Sequence, residues 1–144
     1  MPGQQIDAPT EAELAWVESN LSVARALAAA YTGGEQEALP DVQLLDEIYA
    51  AWRAEWLQQA SGKPDDPNVY INAIGLAFGQ ALVDELGLQW AVVSDEHGTE
   101  IAVHGQPGDI LVFPPNLVAK RFETGETGFL APVFNEIVER VRSL

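Results

Sequence analysis

Cysteine is absent from this 144-residue chain, which removes disulfide bridges, thiolate metal sites and a cysteine nucleophile. Histidine is nearly absent too. His97 and His104 are the only imidazoles, and that narrows general acid–base schemes. Bases are scarce: 7 Lys and Arg stand against 22 Asp and Glu, for a net charge of −15. Such a field repels phosphate, so neither nonspecific nucleic-acid binding nor docking on anionic lipid is expected. No stretch approaches the roughly 20 apolar residues of a membrane span. The start, Met1 to Asp7, has neither the basic flank nor the apolar run of a signal peptide. The expected address is the cytoplasm, with no membrane contact. There is no Gly-x-Ser-x-Gly elbow and no serine with a recognisable triad partner.

What is present is an ordinary globular composition. A hydrophobic fraction of 47% argues against global disorder, and the length suits one compact domain with a real core. The charge is unevenly placed. From Lys120 onward four bases (Lys120, Arg121, Arg140, Arg142) balance four acids, so the whole excess, 18 acids against three bases, lies before that point. An asymmetric field orients a partner, and a basic protein surface is the candidate. Solubility alone explains an acidic surface more simply.

Along the chain, residues 1–9 read as a flexible arm. Thr10 and Glu13 form a capping-box pattern that opens a helix to about Ala30, with Leu14, Val17, Leu21, Ala24 and Ala28 on one stripe widened by Trp16. A second helix spans about Pro40 to Gln59, and the turn Ser61–Asp65 ends a helical hairpin over 10–62. Asp66-Pro67 is a cap with a first-turn proline, predicting a third helix to Leu86 with Gly87 as a left-handed stop. The rhythm then alternates. Trp90–Ser94, Thr99–His104 and Asp109–Phe113 read as three antiparallel strands of a meander. Pro114-Pro115 ends the third; a short helix over 116–123 and a closing helix over 129–142 follow. Helices first and a small sheet after them, without βαβ alternation, give a single α+β domain, 10–144, whose later part, 66–142, is one helix–sheet–helix unit.

Candidate chemistry is thin. Asp95, His97, Glu100 and His104 flank one hairpin, and oxygen plus imidazole donors there suit a divalent cation. Their spacing matches no calcium loop or zinc helix, and polar residues at a turn are ordinarily solvated, so the turn reading is favoured. The two imidazoles are expected at opposite ends of the hairpin, too far apart to share a metal. Lys120-Arg121 is the one adjacent basic pair. It would suit an anion, yet pairing with nearby carboxylates is favoured in so acidic a chain. Gly75 and Gly79, one turn apart, permit a close approach to the third helix. Four tryptophans (Trp16, Trp52, Trp56, Trp90) lie on apolar stripes or alternating strands and are expected in the core. No catalytic residue and no cofactor are assigned.

Ile71-Asn-Ala-Ile-Gly75-Leu-Ala-Phe-Gly79, then Leu86-Gly87-Leu-Gln-Trp90 with Asp95-Glu96-His97-Gly98, then Ile110-Leu-Val-Phe-Pro114 leading to Lys120-Arg121 resemble the bacterial family called domain of unknown function 3806, over about residues 71–138. The resemblance implies a bacterial source and a stable helix-plus-sheet unit, and it carries no reaction. The expected function is a non-catalytic interaction or binding module. Two alternatives stay open: a metal-dependent or carboxylate-based hydrolase on the 95–104 hairpin, and a small-ligand binder between the sheet and helix 66–86.

Overall fold

A computed structural model describes residues 4–34, 38–59, 66–106 and 108–144. In chain order the elements are β1 (Gln5–Asp7), α1 (Glu11–Thr32), α2 (Val42–Gln58), α3 (Pro67–Leu86), β2 (Gln89–Asp95), β3 (Gly98–Gly105), β4 (Ile110–Val112), α4 (Pro114–Thr124) and α5 (Leu130–Arg142). The fold is α+β. The expected turn Ser61–Asp65, Ala60 before it and Pro107 lie outside the described residues.

The helices begin where local chemistry satisfies their first N–H groups. At α1 the capping box is complete: Glu13 N–H donates to Thr10 Oγ1 at 3.2 Å, and Thr10 N–H donates to Glu13 Oε1 at 2.8 Å. Asp41 caps α2 through Leu44 N–H at 2.8 Å. Asp66 caps α3 with Pro67 in the first turn, and Gly87 closes it at φ 68, a backbone angle a side chain would resist. Pro114-Pro115 does not merely end β4. The pair occupies the first turn of α4, where the missing N–H groups are no loss.

α3 is apolar nearly all round, and that makes it the central helix. Ile71 and every residue from Ala73 to Gly79 are buried, as is Leu82. The buried stripe of α1 (Val17, Leu21, Ala24, Ala28) lies chiefly along α3, while α2 packs on α5 and α3. The two helices expected as a helical hairpin over 10–62 touch each other less than they touch the rest of the fold, α1 packing on α3 and α2 on α5 and α3. Tyr49 meets Phe129 edge-on at 5.3 Å, and Trp52 stacks near Tyr70 and Phe122. Fully burying each such side chain contributes about 1.5–3 kcal/mol.

The sheet has four strands, not three, in the order β1-β2-β3-β4, all antiparallel. The fourth comes from the segment expected to be a loose arm: Gln5, Ile6 and Asp7 stand opposite Ser94, Val93 and Val92. Backbone pairing with β2 orders them although all three side chains are exposed. The other strands follow the expected meander, with Trp90 opposite Val103 and Val103 opposite Val112. The sheet docks on α3 through Trp90, whose indole N–H donates to Gln80 Oε1 at 3.1 Å.

Candidate functional site

Of the hairpin residues singled out in the sequence, Asp95, His97 and Glu100 border one cleft at the turn, and only His104 stands apart. Asp95 and His97 sit at the β2–β3 turn, where Asp95 Oδ1 accepts the His97 backbone N–H at 2.7 Å and shapes the turn. His104 stands at the other end of β3, opposite Gln89. At about 3.3 Å per residue the imidazoles are separated by roughly 20 Å. His104 Nε2 lies 2.7 Å from Asp109 Oδ1 instead. Among the described residues no group of three or more His, Asp or Glu is placed to hold a metal ion.

Lys120 and Arg121 also depart from expectation. Neither makes an ion pair among the described residues. Arg121 folds back on its own helix. Its Nη1–H donates to the Leu117 carbonyl at 3.3 Å, and its guanidinium lies 5.3 Å from the centre of the Phe129 ring. A cation–π contact and a carbonyl of its own helix stand where a carboxylate was expected. Both bases border a shallow groove floored by Leu111, Leu117 and Ile137.

The pocket expected between the sheet and α3 at Gly75 and Gly79 is filled. A Cβ at Gly75 would stand 2.7 Å from Pro115 Cα and 2.9 Å from the Pro114 carbonyl oxygen. At Gly79 it would meet the Trp90 ring at 2.7 Å and Pro114 Cγ at 2.8 Å. The glycines serve packing, bringing the start of α4 onto α3.

That seam leaves a cleft one turn earlier on α3. Its volume is about 460 Å³, and it lies between the first turns of α1, the start of α3, the sheet and the first turn of α4. Trp16, Val92, Ile101, Phe113 and Pro115 form its apolar walls. Its polar groups are Glu13, Asn72, Thr99, Glu100 and Asn116. No Lys, Arg or His lines it. Thr99 is engaged with Ser94 at 3.1 Å, and one oxygen of Glu13 is engaged in the capping box. The side chains of Asn72, Glu100 and Asn116 make no hydrogen bond among the described residues. An acidic, partly apolar cleft with unengaged acceptors is equipped to receive a cation carrying an apolar body.

The sequence reading placed Trp16 in the core, and the structure corrects this: its residue is 44% exposed at the cleft. Trp52 is buried as expected, and Trp56 and Trp90 pack half-buried against the core. A signal was present. Of the four helix-face neighbours of Trp16 only Ala12 is apolar, and Glu13, Ser19 and Asn20 make a polar setting for a core residue. Asn72 and Asn116 carried no comparable mark.

Three comparisons bear on kinship. The family described as "Domain of unknown function (DUF3806)" matches residues 41–134. No curated protein matches the chain. A crystal structure from Bacteroides thetaiotaomicron VPI-5482, at 1.50 Å resolution, has a similar fold with a TM-score of 0.72 at 10% identity. The likeness covers 97% of this chain and 48% of that one, so the chain spans about half the length of the solved relative. At that identity the likeness shows the fold alone.

Proposed function

The chain belongs to the DUF3806 family, a membership that carries no reaction, and we propose that it is a non-catalytic binding module that receives a basic partner at the cleft beside Trp16. One observation carries this reading: the cleft has carboxylates from Glu13 and Glu100 and no base, on a chain of net charge −15. Local and global fields then act in one direction, drawing a cation toward the site and fixing it there. A bacterial source, which the family resemblance implies, and a cytoplasmic address belong to the same proposal.

Association with cationic peptides across a salt series tests it. Binding at low ionic strength that weakens by at least about 10-fold between 50 and 500 mM salt is the expected outcome. Glu13→Gln together with Glu100→Gln should weaken it further, since glutamine preserves the capping box while removing charge. No association at low salt would end the proposal. A small-molecule ligand is the second reading, favoured by a cleft volume within the range of small-ligand sites.

A further inference from the structure

Resting on the binding reading above, we propose that the group the cleft takes is a primary alkylammonium, a compact NH₃⁺ head on an aliphatic stem. The argument starts from where the acceptors come from. Glu13 belongs to α1, Asn72 to α3, Glu100 to β3 and Asn116 to α4, so the polar groups reach the cleft from four separate elements. Acceptors set around a space suit a point charge with three rotatable donors. A planar guanidinium prefers one carboxylate facing its fork, and Glu13 and Glu100 lie on different elements.

The head must also carry N–H groups. Asn72, Glu100 and Asn116 have no hydrogen-bond partner among the described residues, and a quaternary ammonium would leave them unsatisfied once water is displaced. Only Trp16 and Phe113 supply rings here, too few for the closed aromatic cage that a methylated cation uses. The walls match a stem. Val92, Ile101 and Pro115 are aliphatic, while the Trp16 indole offers both apolar area and an electron-rich face. The site is partly pre-organised as well. The Thr10 N–H holds one oxygen of Glu13 at 2.8 Å, and no hydrogen bond among the described residues falls on the other. The capping box thus serves two ends, starting α1 and fixing a carboxylate at the cleft.

The ammonium can come from a free alkylamine or from a lysine side chain, and calorimetric titrations at low salt separate the sources. The probes are n-hexylamine, its trimethylated analogue, hexylguanidine, and a short peptide with one lysine in unmodified and acetylated forms. Hexylamine and the lysine peptide should bind, with trimethylation, guanidine replacement or acetylation each weakening binding about 10-fold or more. Binding of the lysine peptide but not of hexylamine, abolished by acetylation, identifies a polypeptide source and supports the assignment. Equal binding of the acetylated peptide, the quaternary cation or the guanidine overturns it. Trp16→Ala should weaken binding about 10-fold while the far-ultraviolet spectrum and the melting temperature stay unchanged. If basic peptides bind this variant and Glu13→Gln as tightly as the wild type, the ammonium assignment falls and the cleft is not the site, although the chain still binds basic partners on another surface. If no cation binds at all, both fall.

Discussion

The joint between α2 and α5 and the cleft beside Trp16 treat their polar groups in opposite ways. At the joint, Asp46 on α2 spends both carboxylate oxygens on the first turn of α5, accepting the Leu130 and Ala131 N–H groups at 2.9 Å each. At the cleft, Asn72, Glu100 and Asn116 lie against apolar walls with no such engagement among the described residues. The polar groups at the joint are committed to the fold, whereas these three side chains take no part in holding it together. At the α3–α4 seam Gly75 brings backbone onto the Pro114–Pro115 backbone, and Pro115 forms part of one wall of the cleft.

The largest effect is expected at the seam. Gly75→Ala places a methyl against the Pro114–Pro115 backbone, which cannot rotate away, and should cost about 3 kcal/mol in urea unfolding. Gly79→Ala meets the Trp90 and Pro114 rings, which can shift, and should cost only about 1–2 kcal/mol. Equal costs at the two positions would mean that the seam is not a rigid wall.

Next comes the joint. Asp46→Ala frees two N–H groups at the start of α5 and should lower stability by about 2 kcal/mol, read from the same unfolding curves. A change near zero would remove the contrast with the cleft.

The joint has its own exceptions, and they give a smaller effect. The Tyr49 hydroxyl and Arg53 Nε are buried without a hydrogen-bond partner among the described residues. Burial raises the Tyr49 hydroxyl above its ordinary value of 10.0, with Arg53 opposing and Glu126 adding to the rise. Below about pH 10 it is neutral in both folded and unfolded chains. Above that the unfolded tyrosine ionises first, so its contribution is lost as pH climbs toward the folded value. Tyr49→Phe should leave stability unchanged or raise it by up to about 1 kcal/mol, and should flatten the decline above pH 10 in a series of urea curves. A steepened decline would contradict this account. Smallest of all, Trp16→Ala should change stability by less than about 0.5 kcal/mol, because the ring is not part of the core. A larger loss would mark Trp16 as structural.

Much of the architecture was legible because its signals are local. Thr10 with Glu13, Asp66 with Pro67, and Gly87 each determine a helix end within a few residues, and the alternation from Trp90 onward marks the meander. β1 was not legible, since three residues with exposed side chains form a strand only through the backbone of β2, nearly ninety positions away. The packing of α1 on α3 escaped for a related reason. An apolar stripe announces burial but does not name its partner. The cleft was the least visible feature, assembled from the starts of three helices and the sheet. Its most telling residue, Trp16, was masked by a stripe that is buried from Val17 onward but leaves Leu14 and Trp16 at the surface.

A titration of ¹⁵N-labelled protein with the single-lysine peptide tests the central claim most directly, because Trp16 lies at the cleft and Trp52 in the core. The Trp16 indole and the side-chain amides of Asn72 and Asn116 should shift together and saturate on one curve, with the Trp52 signal unmoved. Shifts spread over acidic surfaces elsewhere, with Trp16 still, would contradict the assignment of the cleft as the binding site.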